Sequence, residues 1–224
     1  KYEQSEQILL ETLASEDEYK NYIDDFSEYE ITKLGVKNLY EYQSKALENA
    51  LIILKIFYTE CQANKQEFYE LLSNKYKFKN LDIKLEKSSL LKEYFAENIF
   101  SNDKNEFIKF AALINQMCFW MATGSGKTIV IIKLIEILKI AMENDFLPTK
   151  DIYFFTANDN LLKAFEEEVK TYNQSANNKI LLHSLKDYEK IKRHNKNLFG
   201  EINVFYYGAY NLREDKKDKQ LDFK

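Results

Sequence analysis

The stretch MATGSGKT, at residues 121–128, decides the fold of this chain. An apolar run precedes it at residues 117–120, and a long apolar helix pattern follows it at residues 129–142. A strand, a glycine loop, a Lys-Thr pair and a helix are the layout of a phosphate-binding loop. The chain has only five glycines in 224 residues, and two of them, Gly124 and Gly126, lie here. The alternative interpretation is an ordinary tight turn between a strand and a helix.

The residue types of this loop suit the binding of a nucleotide. Gly124 and Gly126 can adopt backbone conformations closed to other residues, so the main-chain amides can approach an anion at the positive end of the helix. Lys127 would reach the β- and γ-phosphates of a nucleotide, and the hydroxyl of Thr128 would bind Mg²⁺. We expect Lys127 and Thr128 to serve catalysis and Thr128 to bind the metal. The residues expected to bind the nucleotide here are Thr123, Gly124, Ser125, Gly126, Lys127 and Thr128.

The composition is that of a globular protein, with 45% hydrophobic and 30% charged residues. No run of 18 apolar residues is present and the N-terminal residues lack a signal pattern, so we expect no membrane span and a cytoplasmic location. Cys61 and Cys118 are isolated in the sequence. This spacing favours reduced core thiols over a disulfide framework or a zinc site.

Charge is unevenly distributed along the chain. Residues 1–30 contain ten acidic residues and two lysines, a net charge of −8, whereas the remainder carries +4. Apolar residues at spacings of three and four predict an acidic helical arm over residues 1–38. A solvated helix face explains such a charge run, and the alternative is an arm that docks a partner or inhibits the protein.

A helix is predicted to start after residue 38, and residues 52–115 are predicted to be helical almost throughout, with a polar connection at residues 74–88 and an amphipathic helix whose apolar residues lie at positions 90, 91, 94, 95, 99 and 100. Asn38 is a plausible N-cap for the first of these helices, and the triplet at residues 101–103 suggests the cap of the last. Gln43 lies in the first turn of the first helix, and its carboxamide carries the paired donor and acceptor that an adenine edge requires. The alternative for Gln43 is an ordinary surface glutamine on a helix.

From residue 116 onward, strands alternate with helices. Strands are predicted at residues 117–121, 152–155, 180–182 and 202–207, and helices at residues 127–144 and 160–172. Such alternation predicts an α/β domain with a parallel sheet and crossover helices on its faces, preceded by a mostly α-helical region. Ligands of such sheets bind at the carboxyl ends of the strands, which is where the glycine loop lies.

A second polar turn, TANDN at residues 156–160, follows the strand at residues 152–155. Together with the first amides of the next helix, Thr156, Asn158 and Asn160 could bind a nucleic-acid backbone phosphate. An ordinary helix cap provided by Asn158 or Asn160 is the alternative.

These motifs together resemble superfamily 2 helicases and translocases over residues 38–213. The loop spelled with Met121 in place of its first glycine is similar to that of the restriction-subunit branch, the type III restriction enzymes and their relatives. LYEYQ at residues 39–43, followed by Ala46 and Leu47, resembles the family's adenine-contacting glutamine element. FFTANDNLL at residues 154–162 resembles its motif Ia, which contacts the DNA backbone, and residues 205–213 resemble the segment after its third strand.

The resemblance implies a RecA-like motor domain that binds ATP and Mg²⁺ and acts on double-stranded DNA. It assigns Gln43 to the adenine and Thr156, Asn158 and Asn160 to the DNA. Gln43 and Met121 lie 78 residues apart, so residues 39–115 are expected to contain the glutamine element and an insertion. The interpretation therefore divides the chain into the acidic arm, this helical region and a first RecA-like domain at residues 116–224.

The resemblance is incomplete after the third strand. No apolar strand that ends in Asp-Glu follows, Glu214 and Asp215 come after a different context, and neither a second motor domain nor a nuclease pattern is present. We expect the chain to be the N-terminal part of the restriction subunit of a type III-like system, with a methyltransferase or specificity subunit as partner. Endonuclease activity would belong to the full-length protein, and the chain alone would hydrolyse little ATP. The alternatives are a superfamily 2 helicase without a restriction role and a non-motor module that binds ATP or docks a partner.

Overall fold

The computed structural model of the chain describes residues 10–76, 82–85, 92–93, 95–102, 105–119, 121–194 and 201–208. The chain divides into two compact units. The helical unit comprises residues 1–25 and 48–120, and the sheet unit comprises residues 26–47 and 121–224. The division of the sequence into an arm, a helical region and an ATPase domain stays a prediction.

Helices occur in both units. The α-helices are α1 (Leu10–Ala14), α2 (Glu41–Lys55), α3 (Lys65–Tyr76), α4 (Lys127–Glu143), α5 (Asp159–Asn173) and α6 (Tyr188–His194). Segments of 3₁₀ helix lie at Lys20–Tyr29, Ala96–Asn98, Phe110–Ala112 and Leu185–Asp187, and a π-helical turn at Ile56–Glu60 follows α2. The helices predicted at residues 127–144 and 160–172 are thus confirmed as α4 and α5.

The strands form three sheets. They are β1 (Lys33–Leu34), β2 (Lys37–Asn38), β3 (Ile83–Lys84), β4 (Ile99–Asn102), β5 (Asn105–Ile108), β6 (Ile152–Thr156), β7 (Lys179–Ser184) and β8 (Glu201–Gly208). The first two strands form an antiparallel pair, and the next three form an antiparallel sheet in the order β3-β5-β4. The last three form a parallel sheet in the order β6-β8-β7, with Ile152 opposite Val204 and Ile180 opposite Ile202.

The parallel sheet has helices on both faces. Successive residues of a strand point to opposite faces, and the central strand β8 buries both sets. On one face, Val204 lies in a core with Ile132 of α4 and Phe165 of α5. On the other face, the ring of Phe205 packs edge-on against Tyr188 of α6, with 4.8 Å between centroids. This arrangement confirms the α/β fold predicted from the sequence, a RecA-like parallel sheet preceded by a mostly helical region.

The helical unit has its own apolar core, to which the acidic segment contributes. Leu13 of α1 is fully buried with Ile56, Phe68 and Leu72, residues of the helices that follow. Ion pairs fix the polar side of the segment: Lys55 pairs with Asp25, and Lys75 pairs with Glu18. Within residues 10–25, the acidic arm is therefore a packed part of this unit with a solvated, charged face.

The predicted helix over the end of residues 52–115 is wrong. Residues 99–108 contain β4 and β5, and the predicted cap at residues 101–103 falls at the end of β4, with Asp103 outside the described residues. The short strand β3 lies within the predicted connection at residues 74–88. Phe100 and Phe107 are cross-strand partners whose rings stack at 5.6 Å. Their spacing along the chain suits one helix face as well as a cross-strand pair, so periodicity could not separate the two. The apolar residues predicted at 90, 91 and 94 lie outside the described residues.

Three further local predictions are wrong. Residues 116–119 and 121 are not in a strand; Met117 packs instead against the core of the helical unit, which accounts for the apolar run without a strand partner. Asn38 lies in β2 and does not cap α2, which begins at Glu41. Cys118 is exposed, because the segment that holds it lies outside the sheet, whereas the predicted burial of Cys61 is confirmed. Within the part of the chain that the structure describes, no helix has the length and apolar character needed to cross a membrane.

Candidate nucleotide-binding site

The glycine loop turns into α4 through two left-handed residues. Gly124 has φ = 79° and Gly126 has φ = 76°, values that residues with a Cβ rarely adopt. Gly126 is the N-cap of α4 and supplies no side-chain cap. Since the first amides of a helix have no intrahelical acceptor, those of Lys127 and Thr128 are available to an anion at this end.

The space around the two glycines differs. A Cβ at Gly124 would meet no atom within 4 Å, so the loop has open space on that side. A Cβ at Gly126 would lie 2.6 Å from Nε2 of Gln43. Gly126 is therefore required twice, by its backbone conformation and by the approach of Gln43.

Lys127 folds over its own loop. Its exposed side chain donates from Nζ to the carbonyl oxygens of Met121, at 2.8 Å, and Ala122, at 2.6 Å. The hydroxyl of Ser125 also donates to the carbonyl of Ala122, at 2.7 Å. A lysine ammonium is a mobile point charge with three donors. Lys127 can therefore exchange these carbonyls for phosphate oxygens without a change in the backbone.

Gln43, which the resemblance to the helicase glutamine element assigns to the adenine, lies against the loop. Its Nε2 donates to the carbonyl oxygen of Ser125 at 2.9 Å, and its Oε1 accepts from the backbone amide of Tyr40 at 2.9 Å. The second bond is the half of a capping box in which the third helical residue returns to the N-cap amide. Gln43 is only 2% exposed, so the alternative of a surface glutamine is wrong.

Tyr40 and Tyr42 are the residues of this site that the sequence analysis missed. The hydroxyl of Tyr42 donates to the carbonyl oxygen of Ser125 at 2.9 Å, the same oxygen that Gln43 reaches. The rings of Tyr40 and Tyr42 stack nearly parallel, with centroids 5.7 Å apart and an interplanar angle of 10°. The sequence signal that could have indicated them is the pair of tyrosines, separated by one residue, directly before Gln43.

A buried polar cluster holds α4 against α5. Lys133 of α4 is 3% exposed, and its Nζ lies 2.7 Å from Oε2 of Glu136 one turn later. The hydroxyl of Tyr172 on α5 donates to Oε1 of the same carboxylate at 2.9 Å. Burial, followed by the charge of Glu136, raises the pKa of Tyr172, so its hydroxyl keeps its proton and stays a donor. This cluster fixes the helix whose N-terminus carries the loop.

The second polar turn is arranged as a helix cap. Asn158 is the N-cap of α5, and its Oδ1 accepts from the amide of Leu161 at 3.0 Å, which confirms the capping interpretation for this residue. Thr156 is 6% exposed and donates to the carbonyl oxygen of Asn158 at 3.2 Å. Asn160 is exposed in the first turn of α5. The structure thus presents one of the three predicted DNA-contacting side chains, Asn160, at the surface without a capping role.

The donors of the loop fit a magnesium–nucleotide complex. Among the residues that the structure describes, no group of three or more His, Cys, Asp or Glu side chains could hold a metal ion by itself. Mg²⁺ keeps several water ligands and binds through substrate phosphates together with one or two protein oxygens. Thr128, in the first turn of α4, has a hydroxyl of this kind, and the side of Gly124 on which a Cβ would point is open.

The fold and this loop define a class of protein. A glycine loop at the start of a helix that packs on a parallel α/β sheet is typical of the RecA-like phosphate-loop proteins. A family model described as "Type III restriction enzyme, res subunit" matches residues 36–223, which is most of the chain. The chain belongs to this family, whose members are helicase-like, ATP-dependent motors. Searches of curated proteins and of solved structures found no match.

Proposed function

We propose that the protein binds ATP with Mg²⁺ at residues 121–128 as part of a DNA translocation motor. The observation that carries the proposal is the N-terminus of α4, which begins at a left-handed glycine and has no side-chain cap. Membership of the type III restriction family supports an ATP-dependent motor at this loop. The uncapped helix end and the exposed Lys127 supply the positive field that a triphosphate requires.

Each residue of the loop has a distinct part in this proposal. The backbone at Thr123, Gly124, Ser125 and Gly126 wraps the phosphates, and Lys127 turns from its carbonyl partners to the β- and γ-phosphate oxygens. The hydroxyl of Thr128 holds the metal, which when bound neutralises charge on the phosphate oxygens. Gln43 braces the loop through Ser125 and stays the candidate for the adenine contact that the resemblance implied.

The nucleotide proposal is tested with Lys127→Ala. Titration of the protein with Mg-ATP should give saturable binding that Lys127→Ala weakens at least tenfold, since about 1.5–3 kcal/mol is lost with a hydrogen bond to a charged group. Lys127 is exposed, so the midpoint of urea unfolding should not change. Lys179→Ala, which removes an exposed lysine at the start of β7, is the matched control and should bind as the parent does. Equal binding by both variants would refute the site.

We further propose that the turn at residues 156–160 contacts the backbone of double-stranded DNA. Thr156 and Asn158 shape the turn by their bonds to the backbone, and Asn160 reaches a phosphate together with the first amides of α5. The support is the position of this turn at the carboxyl end of β6, where ligands of parallel sheets bind.

The restriction role completes the proposal. The family match supports the restriction subunit of a type III-like system, acting in the cytoplasm with a methyltransferase or specificity subunit and directing endonuclease cleavage. A superfamily 2 helicase without a restriction role would translocate without such a partner. A non-motor module would bind nucleotide without any response to DNA. Affinity for Mg-ATP measured with and without a DNA duplex separates the motor from the non-motor alternative.

A further inference from the structure

The hairpin of β1 and β2 packs against α5 within the sheet unit. Leu34 of β1 is 3% exposed and lies in the apolar core with Phe165 and Val169 of α5. The two-residue turn of the hairpin lies close to the end of the same helix, since a Cβ at Gly35 would be 2.6 Å from Oγ of Ser175. The hairpin therefore has a defined position on α5, both at its buried side and at its turn.

An ion pair also joins the hairpin to α5. Nζ of Lys37 in β2 donates to Oε1 of Glu168, which lies 131 positions further along the chain. The two side chains are 42% and 25% exposed, so solvent screens this pair less than a fully exposed one. Because the two residues come from distant parts of the chain, the pair acts on how the hairpin lies on the helix and not on either element alone.

The hairpin leads directly into the helix that carries Gln43. Only residues 39 and 40 separate β2 from α2. The amide of Leu39 donates to the carbonyl oxygen of Thr32 at 2.8 Å, and the side chain of Leu39 packs on the core that contains Leu34. The amide of Tyr40 donates to Oε1 of Gln43 at 2.9 Å. The position of the hairpin therefore determines where α2 begins and where the carboxamide of Gln43 lies.

Gln43 is closely packed against the glycine loop. Its Nε2 donates to the carbonyl oxygen of Ser125 at 2.9 Å, and a Cβ at Gly126 would be only 2.6 Å from the same nitrogen. A hydrogen bond weakens steeply when its distance or angle departs from the preferred range. A shift of the hairpin on α5 would thus change the support of the residues that hold the phosphates in the proposed function, and any contact of Gln43 with the base.

We propose that Lys37 and Glu168 are positioning residues for the nucleotide site. Their ion pair holds the hairpin on α5, and the hairpin in turn holds Gln43 against Ser125 of the glycine loop. This inference rests on the proposed binding of Mg-ATP and deepens it, because it assigns part of the affinity of the site to two residues outside the loop. A purely structural ion pair would stabilise the folded protein without changing how tightly the folded protein binds nucleotide.

The test reverses the two charges separately and together. Glu168→Lys and Lys37→Glu each replace attraction by repulsion between the hairpin and α5, and each should weaken Mg-ATP binding about threefold to tenfold. The double variant restores an ion pair of reversed polarity, and its affinity should return to within about twofold of the parent value. Affinity is measured by calorimetric titration under conditions in which each variant is fully folded. Glu167→Lys makes the same change of charge at an exposed position of α5 and should bind as the parent does.

Hydrogen exchange without nucleotide measures the same link directly. The amide of Tyr40, whose acceptor is Gln43, should exchange faster by about threefold or more in Glu168→Lys and recover in the double variant. The amide of Leu161, at the other end of α5, is the internal reference and should exchange at the parent rate.

The outcomes separate this inference from the nucleotide site itself. Binding that depends on Lys127 but is equally tight in Glu168→Lys, Lys37→Glu and the parent would overturn the positioning role and leave the site standing. Weakened binding that the double variant does not recover would also overturn the role, since the loss would then not come from the pair. No Mg-ATP binding by the parent would overturn the nucleotide site, and exchange of the Tyr40 amide would then decide alone whether the pair holds Gln43 in place.

Discussion

The N-termini of α4 and α5 are built in opposite ways, although both helices pack on the same face of the parallel sheet. The helix α5 begins at Asn158, whose side chain satisfies the amide of Leu161. The helix α4 begins at Gly126, which has no side chain to offer and a left-handed backbone. One helix end is closed by its own sequence, and the other leaves its amides to an external partner.

The N-terminus of α5 is arranged for stability, whereas the equivalent N-terminus of α4 is arranged to bind a ligand. A capping side chain stabilises a helix by about 1 kcal/mol, and α4 forgoes that gain. The length and apolar character of α4 compensate, since Ile132 and Ile137 are fully buried and each such side chain contributes about 1.5–3 kcal/mol. Burial of its apolar side chains therefore keeps α4 stable although its N-terminus lacks a capping side chain and is open to a ligand.

The largest expected loss of stability comes from removing Glu136, whose carboxylate joins α4 to α5. Glu136→Leu removes the carboxylate that Lys133 and Tyr172 both contact, so it leaves a buried ammonium without a counter-ion. We expect the free energy of unfolding in urea to fall by about 3–5 kcal/mol. The matched control is Glu143→Ala, which breaks the more exposed pair with Lys139 on the same helix and should cost less than about 1 kcal/mol. Equal effects of the two changes would contradict a shared buried contact.

An intermediate loss of stability is expected when either glycine of the loop is replaced, and the two replacements should differ. Gly126→Ala introduces a Cβ at φ = 76° that meets Nε2 of Gln43, so it should destabilise by about 2–3 kcal/mol and weaken Mg-ATP binding. Gly124→Ala has only the strain of φ = 79° with open space around the Cβ, and should destabilise by about 1–2 kcal/mol. Urea unfolding and ATP titration measure both. A larger loss of stability for Gly124→Ala would show that Gln43 does not constrain the loop.

The smallest expected effect concerns the closed helix end. Asn158→Ala removes the cap of α5 and should lower the free energy of unfolding by about 1 kcal/mol, while Asn158→Asp keeps an acceptor and should preserve stability.

Asn160→Ala should change stability by less than about 0.5 kcal/mol but weaken the binding of a DNA duplex, measured by fluorescence anisotropy at fixed salt. Unchanged duplex affinity in Asn160→Ala would argue against a DNA contact at this turn.

The sequence predicted the parts of the fold where local pattern and burial agree. The strands at residues 152–155, 180–182 and 202–207 lie within β6, β7 and β8, because each apolar run is short and bounded by polar residues. The helices α4 and α5 were predicted for the same reason. Patterning failed at β4 and β5, where the cross-strand pairing of Phe100 with Phe107 depends on the partner strand and leaves no local signature.

The candidate site was predicted only in part. The loop and Gln43 came from motif and resemblance, and the structure places them in contact. The two hydrogen bonds of Gln43, to the carbonyl oxygen of Ser125 and from the amide of Tyr40, could not be predicted from the sequence because they depend on three-dimensional packing. Tyr42 was missed because a tyrosine on a predicted amphipathic helix suggests core, and its bond to a carbonyl far along the chain has no signal in the sequence.

The approach of Gln43 to Gly126 also limits how sequences of this kind can diverge. Asparagine and aspartate tolerate a left-handed backbone and can often replace a glycine that adopts it. A Cβ at position 126, however, would lie 2.6 Å from the side-chain Nε2 of Gln43. Such a replacement requires the end of the Gln43 side chain to move and to give up its bond to the carbonyl oxygen of Ser125. A change at position 126 is therefore also a change in the support that Gln43 gives to the loop.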